Sequence, residues 1–247
     1  MNSKAITVAI VVGLLGLVIG FVTANSINRS EMNSLKMQAQ TAAPANGAPQ
    51  KPGESFTLDP DELKAKIAQA DAAPDDFDFQ KSLGGALYRY ATMKKDTQLL
   101  DEAARILERA NKLKPKDYAV IVDLGNAYFD SGFFKKDPAV MKMARTTYEK
   151  AIAEKPDDAD VHADYALTFF LDDPPDLARA VVEFQKALKT NPKQERALQY
   201  LAQTYIRQGD FDKAKKTADE LRGINSNNEA LPLLDSQIEK KTAQPIQ

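Results

Sequence analysis

His162, the one histidine of the chain, stands two residues after Asp160 and two before Asp164. That grouping could serve proton transfer, or begin a metal site if further donors converged on it. No second histidine and no cysteine exist to complete a zinc site, and thiolate nucleophiles and disulfides are excluded outright. The oxygen-rich stretches are Asp75-Asp76-Phe77-Asp78 and Asp172-Asp173-Pro174-Pro175-Asp176. Calcium requires six or more oxygen ligands and usually a glycine-turned loop, which neither stretch offers. Helix N-caps and solvated turns account for both. There is no glycine-rich phosphate loop, zinc-protease motif or nucleophile elbow. A hydrolytic role would rest on His162 alone, at a place where the pattern below puts a packing residue. The sequence therefore implies no enzyme, no cofactor and no metal.

Those residues sit in a chain of 247, 43% hydrophobic, long enough for a substantial core. Lys and Arg number 33 against 35 Asp and Glu, with no basic run interleaved with aromatics, so nucleic acid is not an expected partner. Residues 5–24, AITVAIVVGLLGLVIGFVTA, carry no charge. Twenty residues at 1.5 Å each match a hydrocarbon core of roughly 30 Å. They read as a single transmembrane helix after a short flank, 1–4. The rival reading is a secretory leader cleaved after Val22-Thr23-Ala24, but its apolar core would be longer than the usual 7–15 residues or so. The basic groups flanking the span are nearly balanced, and the expectation is a membrane protein with its folded part outside the cytoplasm, in a periplasmic setting. Gly16-x-x-x-Gly20 is a close-packing face through which the anchor could form a homodimer; the competing reading is the ordinary frequency of glycine in membrane helices. Residues 25–58, rich in Ala, Pro, Gly and Gln towards their end, read as a linker.

From residue 59 to 240 the apolar pattern has a helical period throughout. Asp59-Pro60 opens a short helix that ends before Pro74. First helices are expected near 77–92, 118–131, 159–171 and 195–208, and second helices near 98–113, 140–154, 176–190 and 211–222. In the first helices a small residue (Gly84, Gly125, Ala166, Ala202) is followed three places on by a filler (Leu87, Tyr128, Phe169, Tyr205). In the second helices the order is alanine, filler, alanine, proline: Ala103, Leu107, Ala110, Pro115; Ala144, Tyr148, Ala151, Pro156; Ala180, Phe184, Ala187, Pro192. The last unit departs from this, with Ala218, Leu221 and Ser226. Such a repeat is what hairpins need if their backbones are to approach closely while gaps are filled. Pro74, Pro115 and Pro156 are 41 residues apart, Pro192 follows after 36, and Ser226, at the proline position of the last unit, after 34. Seven extra residues are nearly two helical turns, so each helix gains about one turn without losing its phase. Two long hairpins are expected, with MKKDTQ and GFFKKDP at their tips. LDDPPD is expected to be a longer loop, and LPLLDSQIEKK a capping helix.

The spacing, most clearly in VIVDLGNAY and ALQYLAQTYIRQGDFDKAKKTADEL, resembles the tetratricopeptide repeat (TPR) family. The family's first-helix tryptophan is replaced by Gln80, Ile121, His162 and Leu198. The resemblance implies an all-α fold: an α-solenoid of about four TPR helix hairpins with a C-terminal cap, leaving 241–247 as a tail. It also implies a groove lined by first helices that holds other proteins or peptides. By register its candidates are Lys81, Tyr88, Arg89, Asn126, Phe129, Asp130, Phe170, Arg196, Gln199, Gln203 and Arg207. The carboxylate clamp of TPR adaptors for heat-shock chaperones is not implied, since only Asn126 suits it while Val122 and Asp164 replace its lysine and asparagine. An anchored TPR scaffold is similar in layout to bacterial envelope assembly factors, including the TPR subunits of cytochrome c maturation. Without cysteine, this chain could hold an apocytochrome but could not reduce it.

Overall fold

The structure, a computed structural model, describes residues 59–243. The expected span 5–24 with Gly16 and Gly20, the linker 25–58 and the last residues of the tail lie outside them. Among the described residues there are ten helices and no strand, and no helix is long and apolar enough to cross a membrane. The chain divides into two compact units, Met1–Lys114 and Pro115–Gln247. The described part of the first holds α1 (Pro60–Ala72), α2 (Phe77–Lys94) and α3 (Thr97–Leu113). The second holds α4 (Tyr118–Lys135), α5 (Pro138–Glu154), α6 (Ala159–Phe170), α7 (Leu177–Thr190), α8 (Glu195–Gln208), α9 (Phe211–Ile224) and α10 (Leu231–Glu239).

Aspartate starts most of these helices. Asp59, Asp76, Asp96, Asp117, Asp137, Asp158, Asp176 and Asp210 each accept a hydrogen bond from a first-turn N–H, and Gln194 does the same for α8. Such a bond satisfies a donor that the helix itself leaves unpaired. Both acidic stretches of the sequence are thereby explained in part, since Asp76 and Asp176 are caps and Asp172 pairs with Arg145 at 2.6 Å.

The seven-residue insertions lengthen the helices. In α2–α3 and α4–α5 the partners run 18 and 17 residues, against 12 and 14 in α6–α7 and 14 and 14 in α8–α9. The tips are tighter than the sequence suggested. Helix continues through Met93-Lys94 and through Phe133-Phe134-Lys135, and the turns are Lys95-Asp96 and Lys136-Asp137. Lys95 and Lys136 are left-handed (φ 53° in both). Their geometry lets Asp96 N–H reach the Ala91 carbonyl and Asp137 N–H the Gly132 carbonyl, both at 2.9 Å. These are the backward bonds that close helix C-termini.

Packing follows the small-and-filler pattern. A Cβ built on Gly84 would lie 2.7 Å from Leu107 Cγ, and one on Gly125 would lie 2.8 Å from Tyr148 Cε1. The filler of each second helix thus sits against the glycine of its own first helix. The positions without the family's tryptophan are interior: Gln80, Ile121, His162 and Leu198 are all buried. Gln80 Nε2 donates to the carbonyls of Ala70 (2.7 Å) and Ala73 (2.9 Å), tying α2 to the end of α1. Asp71 on α1 clasps Arg105 and Arg109 of α3, both at 2.6 Å. At the other end, α10 buries Leu231 and Leu234 in the core cluster shared by α6 to α9.

Gly125→Ala weighs two effects. A helix interior gains up to about 1 kcal/mol from glycine to alanine, whereas overpacking against the fully buried Tyr148 costs about 1–3 kcal/mol. Net destabilisation is expected in chemical denaturation. Gly132→Ala should cost more, because its Cβ would meet the Met141 backbone nitrogen at 2.8 Å and a backbone cannot rotate aside. An unchanged midpoint for Gly125→Ala would mean that the Tyr148 ring swings away freely.

Candidate protein-binding face

Within the second unit, first helix touches first helix, α4 to α6 and α6 to α8. Most candidates on this side prove to be engaged by the fold. Asn126 Oδ1 accepts from the Tyr148 hydroxyl at 2.7 Å, a bond between the two helices of one hairpin. Arg196 of α8 meets Asp164 of α6 at 2.5 Å, and its Nη2 lies 3.5 Å from the Asp160 carbonyl. Burial pushes Asp164 up to about 6; Arg196 opposes this, while the nearby Asp160, Asp130 and Asp158 reinforce it. Arg196 is therefore a clasp between adjacent repeats rather than a hand held out to a partner.

Two candidates are corrected outright. Phe170 is 0% exposed, and Tyr88 in the first unit is also buried. Phe170 closes the short α6, which lacks the extra turn of α2 and α4. There Tyr200 of α8 packs edge-on at 5.5 Å and the Arg207 guanidinium lies 4.7 Å from the ring centre. Phe170 is covered by the next first helix and cannot meet a partner. Lys81 and Arg89, also in the first unit, are half-buried, with Lys81 Nζ 5.7 Å from the Phe77 ring centre.

What stays accessible is a narrower set. Gln199, Gln203 and Arg207 lie at i, i+4 and i+8 on α8, the first two half-buried and Arg207 exposed. Arg207 Nη1 donates to the Phe170 carbonyl at 2.7 Å, which holds the guanidinium in place while the residue remains exposed. On α4, Phe129 and Asp130 are half-buried, and the Phe129 ring stacks on exposed Phe133 at 6.5 Å. The arrangement combines aromatic surface with a guanidinium held by the fold.

His162 has a partner that its neighbours in sequence did not disclose. Its Nδ1 lies 3.3 Å from Glu183 Oε2 on α7, and its Nε2 lies 3.0 Å from the Pro156 carbonyl. Both contacts are acceptors, so both ring nitrogens donate only in the imidazolium form. The hydrogen bond to Glu183 raises the His162 pKa, against burial that would lower it. Glu183 is buried, which would raise its own pKa, but hydrogen bonds from His162 and Lys186 bring the net shift down. Among the described residues, no three His, Cys, Asp or Glu side chains converge as a metal site. Only a repeat register with known interhelix pairing could have pointed from His162 to Glu183.

A raised histidine pKa stabilises the fold fully below the unfolded value near 6.5 and loses that contribution as pH rises through the folded pKa. The stability of the wild type relative to His162→Phe should accordingly fall with pH across that window in denaturant titrations. A flat difference from pH 5 to 9 would show that the imidazolium contributes nothing.

Residues 176–238 match the tetratricopeptide repeat family model. No curated protein matches the chain in sequence. Among solved structures the fold is similar to MamA (41 to end) from Desulfovibrio magneticus RS-1, with a TM-score of 0.53 and 19% identity over 68% of this chain and 86% of that one. It is likewise similar to a thermophilic TPR protein of Thermus thermophilus, TTC0263, with a TM-score of 0.52 and 15% identity over 72% and 88%. At such identities the likeness speaks for the fold alone. The capped hairpins and the glycine-to-filler packing agree with that likeness of fold, and the tetratricopeptide repeat match itself lies in residues 176–238.

Proposed function

We propose that this chain is a membrane-tethered TPR scaffold that holds extended segments of partner proteins during assembly of a bacterial envelope complex. The observation that carries the binding role is the α8 strip of Gln199, Gln203 and Arg207, with Arg207 fixed through the Phe170 carbonyl yet exposed. A rigid donor costs a partner less ordering entropy than a mobile one. The Gln199 amide adds a donor and an acceptor suited to main-chain N–H and C=O groups, while Gln203 has its amide oxygen buried. TPR proteins are in general scaffolds rather than enzymes, and this strip is built for contact.

The tether rests on residues 5–24 and the linker 25–58, which read as an anchor with its folded part outside the cytoplasm. Cytochrome c maturation is the envelope process whose TPR subunits the layout resembles. In it, this chain would present an apocytochrome segment to a redox-active subunit, because it has no cysteine of its own.

Crosslinking in native cells tests the proposal with the full anchored protein. A variant carrying Gln199→Glu and Arg207→Gln should lose its captured partners while its stability falls by no more than the Arg207–Phe170 bond contributes, about 1 kcal/mol. Partners retained at wild-type yield would remove the α8 strip from consideration. Capture of an apocytochrome, or its absence among specific partners, decides the narrower reading.

A further inference from the structure

We infer that the tips of the α2–α3 and α4–α5 hairpins are contacts for an anionic lipid surface. Each tip sets an exposed apolar side chain beside two exposed lysines. In α4–α5 these are Phe133, 45% exposed, with Lys135 and Lys136. In α2–α3 they are Met93, 41% exposed, with Lys94 and Lys95. The tip acids are directed inward: Asp96 Oδ1 accepts from Gln98 and Leu99 N–H at 3.0 Å, and Asp137 Oδ1 from Ala139 N–H at 2.9 Å and Val140 N–H at 3.3 Å. At each tip the two lysines are thus more exposed than the neighbouring aspartate.

The backbone adds an independent sign. At the corresponding turn of α8–α9 the left-handed residue is Gly209, φ 78°, where no side chain is strained. The two longer hairpins put lysine in that conformation instead, against a steric cost. A charge kept at a conformationally costly position is a feature for function to explain.

The proposed occupant, a bilayer, follows from the chain itself and rests on the anchor reading. Residues 25–58, read from the sequence as a linker, number thirty-four, and a coil of that length has an end-to-end distance of roughly 30 Å. A domain held at that distance samples the membrane continually. Lysines can reach lipid phosphates while an adjacent Phe or Met enters the acyl boundary, the division of labour of interfacial segments. An acidic protein would reward the lysines but give no reason for the exposed rings and thioethers.

The chain has no cysteine, so one introduced thiol labels it uniquely. Full-length protein would carry an environment-sensitive fluorophore at Ala139→Cys beside the second tip or, as control, at Asn227→Cys beyond α9. It would be reconstituted in phosphatidylcholine vesicles with or without phosphatidylglycerol and a lipid-borne quencher. Quenching at position 139 should exceed that at 227 and require phosphatidylglycerol. Lys135→Gln with Lys136→Gln should lower tip occupancy roughly 25-fold, from about fivefold per lysine. Phe133→Ser should reduce quenching while leaving its salt dependence intact. Equal quenching at the two positions, or quenching indifferent to both lipid charge and the lysines, would overturn the inference. Flotation with pure phosphatidylcholine vesicles reads the anchor separately: a chain that fails to float there lacks the anchor, whatever its tips do.

Discussion

Everything in these hairpins depends on how closely two helices of a pair can approach. At Gly84 and Gly125 there is no room for even a methyl group, because Leu107 and Tyr148 occupy it. The contact sets both register and separation: slide the second helix by one residue and the filler meets side chain instead of bare backbone. Tyr148 then uses the fixed register twice, burying its ring against glycine and donating its hydroxyl to Asn126. Where alanine replaces glycine in the shorter hairpins, buried Ala166 and Ala202 meet the same need for a small side chain. Aspartate caps cooperate by fixing where each helix begins, so that the small residue and its filler arrive opposite one another.

This constraint explains why so much of the fold was legible and so little of the binding face was. Small, filler and proline positions are local, repeated and bound to helix geometry, so one chain displays the rule several times. The added helical turns were legible for the same reason, since seven residues preserve phase. Side-chain partners are a different matter. His162 finds Glu183, Arg145 reaches the Thr168 carbonyl at 2.5 Å, and Arg196 finds Asp164; each pairing joins neighbouring elements whose relative rotation no short window encodes. Phe170 failed as a candidate because a register argument assumes one surface exposure for every first helix, and the end of the short α6 is roofed by α8.

Several charged groups of the second unit thus serve its internal joints. Burial raises Asp164 although the Arg196 guanidinium touches it, so the cost of shielding this carboxyl outweighs its ion pair. His162, set between two acceptors, and the Glu183 it pairs with bind α6 to α7 in the same manner. Joints of this kind are costly to leave half-made, since a lone buried charge is far worse than a buried pair. They bias the unit towards one arrangement of its helices, and an exposed group such as Arg207 is useful to a partner only if that arrangement is kept.

The lengthened hairpins show the converse principle. Adding a turn to both helices of a pair leaves the glycine contact untouched, because the new residues lie beyond it. What the insertion creates is surface: helix ends standing past the packed region, closed by a two-residue turn and capped by aspartate. Core packing still fixes some of those residues, since Gly132 meets the Met141 backbone and Leu100 is buried, but it leaves Met93, Phe133 and the tip lysines exposed. Solubility alone would favour the lysines and disfavour Phe133 and Met93 beside them. At both long tips an exposed apolar side chain stands beside two lysines, and at the short α8–α9 tip glycine takes the left-handed place that lysine holds in the others, the contrast from which the lipid contact is inferred.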